Sequence, residues 1–164
     1  MKITLIEPIG LSKEEMEQIS NNLKDLGHSF TVYDTKPEKE EEVIKRAKDA
    51  EILVLSNLPI SEEIISSCKN LKMISVAFAG VDHIAMDLCR KRNIIVSNAA
   101  GYSNHAVAEL TIGSVIHLYR KISWSDLQTR KESTRDGFLG SELYGKSFGI
   151  IGAGSICTEV AHLA

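Results

Sequence analysis

The 164-residue sequence lacks the features that mark several classes of protein. Its three cysteines, Cys68, Cys89 and Cys157, are far apart and lie in apolar or helix-like segments. An odd number at this spacing predicts reduced interior thiols rather than a disulfide framework or a metal site. Met1 leads into a strand-like segment instead of a signal sequence, and no apolar run is long enough to cross a membrane. These absences predict a cytoplasmic protein without a membrane partner.

Clustered positive charge is absent as well. The net charge is −3 and there is no long basic run. Nucleic acids and anionic membranes both bind clustered Lys and Arg, so the sequence argues against either as the main partner. A hydrophobic content of 43% with 25% charged residues is ordinary for a soluble globular protein. The length suits one domain, or a small domain with part of a second.

Strand-like and helix-like segments alternate through the first hundred residues. Short strands are predicted at 2–6, 29–33, 52–55, 71–77 and 93–97. Ser12 begins a capping-box pattern before the first helix, and Gly27 ends that helix. The charged segment 38–50 is predicted as a solvated helix with no binding role. Strands that are apolar on both faces and alternate with helices predict a parallel sheet covered on both sides.

The fourth predicted strand is followed by Ala79-Gly80-Val81-Asp82. Ligands of open α/β sheets bind at the carboxyl ends of strands, and Gly80 allows successive N–H groups to form a nest for a carboxylate. Asp82 is expected to cap the next helix. His83 is interpreted as a polar surface residue. The alternative is an ordinary turn between a strand and a capped helix.

A second loop, residues 98–104, separates the alternating segments from one long helix. That helix is predicted from His105 to about Ile122, and the change of composition indicates a domain boundary at 98–103. It is apolar on nearly all sides, so we expect burial on several sides. Residues 123–146 are polar with scattered aromatics and are expected to form an arm that packs on a second copy of the chain.

A strand, glycine turn and helix pattern occupies residues 148–164. Phe148–Ile151 is predicted to be a buried parallel strand, and the following helix N-terminus suits a pyrophosphate. Cys157 stands at the third position of the dinucleotide fingerprint in place of Gly or Ala, which predicts a slight displacement of the helix. A turn that only connects a strand to a helix is the alternative. The residues expected to hold the cofactor are Gly152, Gly154, Ser155 and Ile156.

Four groups of residues occur in a recognisable order: Ala79–Ile84, then Ser97–Ser103, then Val107–Leu110 with Arg120, then Gly145–Gly154. Their order and spacing over essentially the whole chain resemble the NAD-dependent D-isomer-specific 2-hydroxyacid dehydrogenases. The resemblance implies an α/β fold with a flavodoxin-like substrate-binding lobe over residues 1–100 and a hinge near 98–103. It implies that residues 101–164 are the beginning of a Rossmann NAD-binding domain, truncated at its end.

The same resemblance implies roles for particular residues. Ala79, Gly80 and Val81 would form the substrate-binding loop, with the backbone N–H groups of Gly80 and Val81 holding the carboxylate of a small 2-oxo or 2-hydroxy acid. Tyr102 would face the substrate, as in the D-lactate dehydrogenase branch. Ser103 stands where formate dehydrogenases carry an asparagine, which disfavours that branch, whereas phosphoglycerate dehydrogenase stays open. A homodimer is implied through helix 105–122 and arm 123–146.

No catalytic residue is expected within this chain. In the family, an arginine holds the carboxylate, and a histidine assisted by an acidic residue moves the hydroxyl proton while hydride passes to or from nicotinamide. The resemblance implies that all three residues would follow position 164, as would the residue that selects NAD over NADP. We therefore expect the N-terminal portion of an oxidoreductase, inactive by itself. The alternative is a non-enzymatic carboxylate-binding or dimerisation module.

Overall fold

The computed structural model of the protein describes residues 1–131, 134, 137 and 139–164. Part of the predicted arm 123–146 therefore lies outside the described residues. The chain divides into two compact units, Met1–Ala100 and Gly101–Ala164. Among the described residues, no helix has the length and apolar character needed to span a membrane.

The first unit is a five-stranded parallel sheet with the strand order β2-β1-β3-β4-β5. This is the order of flavodoxin-like sheets, and it confirms the predicted α/β fold class. The strands are β1 (Lys2–Leu5), β2 (Ser29–Val32), β3 (Ile52–Leu55), β4 (Met73–Val76) and β5 (Ile95–Asn98). The helices are α1 (Lys13–Asp25), α2 (Glu40–Ala47), α3 (Glu62–Ser67) and α4 (Met86–Lys91).

The hydrophobic core of the first unit lies on one face of the sheet. Leu53 and Leu55 of β3 are buried there and pair in register with Ile74 and Val76 of β4. On the opposite face, Ile3 and Leu5 of β1 are buried, so the predicted second cover is present at β1. The alternate residues of β3 and β4 are less buried, Ile95 of β5 is 65% exposed, and a groove of about 310 Å³ lies between α1 and the strands.

Helix α1 begins at the predicted capping box. The Ser12 hydroxyl accepts a hydrogen bond from the Glu15 backbone N–H at 3.2 Å, and the Glu15 carboxylate accepts one from the Ser12 N–H at 2.8 Å. After the helix, Gly27 has a φ of 77°, which is the left-handed conformation expected of a terminating glycine. Both ends of α1 are therefore determined by local chemistry.

The second unit contains α5 (Asn104–Arg120), α6 (Ile122–Thr129) and α7 (Ser155–Leu163). Helix α5 ends where Lys121 adopts a φ of 54°, and α6 was not predicted. Within α5 only Ala108 is buried, so the single chain does not provide the burial on several sides that the sequence predicts for this helix. Helix α7 packs against α5.

The predicted strand Phe148–Ile151 is also wrong. The structure gives this segment no strand conformation, and Ile151 is fully exposed. A strand is stabilised by hydrogen bonds to a neighbouring strand, and the described residues of the second unit contain none. An apolar sequence alone therefore does not make a strand at this position.

Candidate functional site

The carboxyl ends of β1, β3, β4 and β5 lie along one edge of the sheet in the first unit. Parallel strands bring the loops that follow them to the same edge, which is the usual ligand-binding edge of an open α/β sheet. The loop that follows β4 contains Ala79, Gly80 and Val81, and all three are half-buried. The sequence-predicted substrate loop is therefore at the expected edge.

Two hydrogen bonds tie this loop to the end of β5. The Phe78 carbonyl accepts from the Ala99 backbone N–H at 3.0 Å, and the Ala79 carbonyl accepts from the Asn98 side-chain amide at 2.6 Å. Within the described part of the chain, the N–H groups of Gly80 and Val81 have no hydrogen-bond partner. The loop thus presents two backbone N–H groups that could donate hydrogen bonds to an anion.

Gly80 reaches this arrangement without the left-handed conformation. Its φ is not positive, so the alternation of right-handed and left-handed residues that forms the usual anion nest is absent at this loop. A Cβ atom on Gly80 would lie 3.5 Å from the Asp82 carboxylate, which is an ordinary contact. The site therefore depends on the direction of its N–H groups rather than on glycine's freedom.

Two predictions for the residues after the loop are wrong. Helix α4 begins after Ala85 with no side-chain cap, so Asp82 does not cap it. His83 is half-buried, and its Nε2 atom is buried without a partner among the described residues, so it is not a surface residue. The cause is a turn that pairs Ile84 with Ile60 as a parallel bridge before the helix starts.

A buried carboxylate that the sequence analysis missed organises the neighbouring loop. Glu7 follows β1 and is 2% exposed. Its Oε1 atom accepts the backbone N–H groups of Ser56, Asn57 and Leu58 at 2.9, 2.9 and 2.8 Å. The Lys36 ammonium lies 3.8 Å from its Oε2 atom. The donors lie 49 to 51 positions further along the chain, so no local sequence pattern predicts this role.

Arg46 corrects the interpretation of the charged segment 38–50. It is buried rather than solvated, and its guanidinium donates to the Ile6 carbonyl at 3.0 Å. It also lies 4.5 Å from the centre of the Tyr33 ring and forms an ion pair with Glu42. The side chain thereby joins α2 to the ends of β1 and β2, which is a structural role at the same edge.

The glycine turn in the second unit has the geometry that its sequence predicts. Gly152 has a φ of 121°, and a Cβ atom there would come within 3.3 Å of the Cys157 sulfur. Gly154 is the N-cap of α7, and no side chain caps that helix. The N-terminal N–H groups of Ser155 and Ile156 therefore face no capping side chain, and a pyrophosphate fits this chemistry.

The second unit contains other candidate site residues outside the glycine turn. Tyr102 is exposed in the turn before α5 and belongs to the second unit, whereas Gly80 belongs to the first. His105 Nδ1 lies 3.3 Å from the Glu159 carboxylate and links α5 to α7 on an exposed surface. Among the described residues, no group of three or more potential metal ligands occurs.

The cysteines Cys68 and Cys89 are buried, unpaired thiols, as the sequence predicts. Burial raises the pKa of both thiols above the ordinary value of 9.0. Since the thiolate is the reactive form, both are suited to packing rather than chemistry. Cys157 is half-buried beside the glycine turn.

Comparison with known proteins identifies relatives across the whole chain. The model of the catalytic domain of D-isomer specific 2-hydroxyacid dehydrogenases matches residues 3–159. D-3-phosphoglycerate dehydrogenase of Archaeoglobus fulgidus is 35% identical over 162 residues, which are 98% of this chain and 29% of that protein. Hydroxypyruvate reductase of Thermotoga maritima is 31% identical, over 94% of this chain and 46% of that protein.

Solved structures give the same result. An acyclic imino acid reductase in complex with NADPH and D-Arg is 31% identical with a TM-score of 0.87, covering 99% of this chain and 52% of that one. D-lactate dehydrogenase of Aquifex aeolicus, complexed with NAD and lactic acid, is 28% identical with a TM-score of 0.84, covering 99% and 47%. This chain spans about half or less of the length of these relatives. It belongs to the D-isomer specific 2-hydroxyacid dehydrogenase family of oxidoreductases.

Proposed function

We propose that this chain is the N-terminal part of a dehydrogenase that interconverts a 2-oxo acid and a D-2-hydroxy acid with a nicotinamide cofactor. Residues 1–100 would form the substrate-binding lobe, and residues 101–164 would begin the cofactor-binding domain. The observation that carries the proposal is the pair of unpartnered N–H groups at Gly80 and Val81, at the ligand-binding edge of the sheet. Membership of an oxidoreductase family supports it.

The substrate carboxylate would accept hydrogen bonds from the Gly80 and Val81 N–H groups. Charge-assisted hydrogen bonds of this kind are short and strong, and the half-buried position of the loop limits competition from water. Ala79 and Tyr102 are the other two residues that we propose to bind the substrate. These residues bind and orient; the proton and hydride transfers need groups that we do not assign to this chain.

NAD is the proposed cofactor, with NADP as the alternative, because the structural relatives include complexes with both types of nucleotide. The pyrophosphate would lie at the N-terminus of α7, between the glycine turn and the N–H groups of Ser155 and Ile156. When bound, the nicotinamide would donate hydride to the 2-oxo acid or accept it from the 2-hydroxy acid. Gly152 is required in this arrangement because its φ of 121° excludes other residues.

Replacement of Gly152 tests the cofactor site. We expect Gly152→Val to abolish NADH binding, measured by titration of NADH fluorescence, because the new side chain needs a different φ and would press on Cys157. Gly149→Val is the matched control, since a Cβ atom there meets nothing within 4 Å. Equal NADH affinity of the wild type and Gly152→Val would contradict the assignment.

Calorimetry tests the proposed carboxylate site, and an activity assay of a longer form of the protein separates the enzyme proposal from a non-enzymatic binding module. We expect the 164-residue chain to bind pyruvate saturably and to bind methyl pyruvate, which lacks the carboxylate charge, much more weakly. We also expect no NADH consumption above a buffer blank with either ligand. Turnover by this chain would contradict the proposed inactivity, and equal binding of the ester would contradict the carboxylate site. A carboxylate-binding module predicts the same binding but no activity in any longer form of the protein.

A homodimer through helix 105–122 and arm 123–146 is the proposed assembly. Its support is the exposed apolar surface of α5 and α6, which a soluble monomer would rarely leave open to water. The exposed apolar residues of these two helices are Val107, Leu110, Ile116, Leu118, Tyr119, Ile122, Trp124 and Leu127.

A further inference from the structure

Asn98 lies beside the proposed carboxylate site, and no role was predicted for it. It is the last residue of β5 and pairs in register with Val76 of β4. Its side-chain amide donates to the Ala79 carbonyl at 2.6 Å, across the gap between the ends of the two strands. A carbonyl oxygen only accepts hydrogen bonds, so the Asn98 group that faces it must be the NH₂ group.

This hydrogen bond acts on the adjacent N–H group through the geometry of the peptide. The Ala79 carbonyl and the Gly80 N–H belong to one planar trans peptide, in which they point in opposite directions. A carbonyl held toward the end of β5 therefore directs the Gly80 N–H away from β5. The direction of that donor is fixed by a side chain on another strand.

The loop would have a different orientation if it continued as a strand. Consecutive carbonyls of a strand point to opposite sides, so the Phe78 and Ala79 carbonyls would diverge. Instead, the Phe78 carbonyl accepts from the Ala99 N–H at 3.0 Å, and the Ala79 carbonyl turns to the Asn98 amide on the same strand. The 79–80 peptide is therefore rotated relative to a strand, and the Asn98 amide is the group that holds it there.

We propose that Asn98 is a positioning residue that holds the 79–80 peptide rotated so that the Gly80 N–H is available to a substrate carboxylate. The inference rests on the proposed carboxylate site and adds the group that orients it. Asn98 is exposed and does not form part of the hydrophobic core, so its effect on ligand binding can be separated from an effect on folding.

The test compares the 164-residue chain with its Asn98→Leu variant by NMR, with pyruvate as the probe. Leu branches at Cγ as Asn does but has no hydrogen-bond donor. Asn70→Leu is the matched control, because Asn70 is an exposed asparagine that precedes β4 at the other edge of the sheet. We expect Asn98→Leu to shift the Ala79 carbonyl and Gly80 amide resonances without ligand, and to weaken pyruvate binding about tenfold or more. Asn70→Leu should change neither.

The outcomes separate this inference from the proposed function. Wild-type affinity in Asn98→Leu, or unshifted Ala79 and Gly80 resonances, would overturn the positioning role. If pyruvate does not perturb the wild-type Gly80 amide, the proposed carboxylate site fails, and the ligand-free spectra still decide whether Asn98 orients the peptide. If the variant does not fold, the wild type provides the test. NMR then measures the scalar coupling across the hydrogen bond between the Asn98 side-chain nitrogen and the Ala79 carbonyl carbon, and its absence would overturn the proposal.

Discussion

Glu7 shows how one buried side chain can determine the shape of a binding edge. Its carboxylate accepts three consecutive backbone N–H groups from the loop after β3, at 2.8 to 2.9 Å. Without the carboxylate, the three N–H groups would have no charged acceptor in a region that is partly closed to water, which costs free energy. The negative charge is thereby neutralised by backbone dipoles, with Lys36 as a more exposed partner.

Replacement of Glu7 by Gln keeps the shape and removes the charge. We expect Glu7→Gln to lower the free energy of unfolding by about 1.5–3 kcal/mol, the range for hydrogen bonds to charged groups. Urea denaturation followed by circular dichroism measures this difference. Glu17→Gln, at an exposed position of α1, is the control and should lie within about 0.5 kcal/mol of the wild type. A neutral effect at Glu7 would show that the loop is held by other contacts.

The residues of the candidate site differ in how far a single sequence predicts them. Gly80, Gly152 and Gly154 could be proposed as site residues because they stand in local sequence patterns of strand, turn and helix. Glu7 and Asn98 could not, because their partners lie 49 to 51 and 19 positions away along the chain. A side chain that acts on a distant loop leaves no local pattern in a single sequence.

At the scale of elements, helix α1 is the clearest case of structure specified by local chemistry. Ser12 and Glu15 satisfy each other's backbone N–H groups in the capping box. We expect Ser12→Ala to destabilise the protein by about 1 kcal/mol, the usual cost of losing a helix cap. Thermal unfolding measures the change, with Gln18→Ala at an exposed position of the same helix as the control.

The capping box also predicts a dependence on pH. The pKa of Glu15 is lowered below the ordinary value of 4.5 by two hydrogen bonds to its carboxylate. The one from the Ser12 backbone N–H has the larger effect, and the one with the Ser12 hydroxyl has the smaller effect. The carboxylate therefore contributes fully to stability above pH 4.5 and loses its contribution as the pH falls through the lowered pKa. The stability difference between the wild type and Glu15→Gln should be present at about pH 7 and smaller at about pH 3. An equal difference at both pH values would contradict this.

The elements of the second unit show where periodicity fails as a guide. The strand pattern at 148–151 is apolar, but a strand also needs a hydrogen-bonding neighbour, which the described residues of this unit do not supply. Lys121 ends α5 by adopting a left-handed φ of 54°, a conformation that its residue type does not signal. In the first unit, by contrast, every strand has a neighbour, and the predicted elements are all present.

At the scale of the whole molecule, the two units differ in how well they bury apolar residues. The buried cluster extends from Ile6 to Ile94 and belongs to the first unit. In the second unit, Leu118 of α5 is 73% exposed, next to other exposed apolar residues. The sequence indicated that α5 needs more apolar partners than this chain provides, which is the basis of the proposed homodimer.

A charge on the exposed face of α5 tests that assembly. We expect sedimentation velocity to show a dimer for the wild type and a monomer for Leu118→Asp, because a carboxylate at a buried interface would be left without a partner. Leu26→Asp is the matched control, since Leu26 is 71% exposed but lies in the first unit. Dissociation by both variants, or by neither, would contradict an interface on α5.

The loop after β4 is the proposed carboxylate site, and a crystal structure of the chain with oxamate, an unreactive analogue of pyruvate, would show whether it binds a carboxylate. We expect the oxamate carboxylate at the carboxyl edge of the sheet, with its oxygens about 2.7–3.2 Å from the backbone nitrogens of Gly80 and Val81. Oxamate bound elsewhere, or crystals in which this loop stays empty at saturating oxamate, would contradict it.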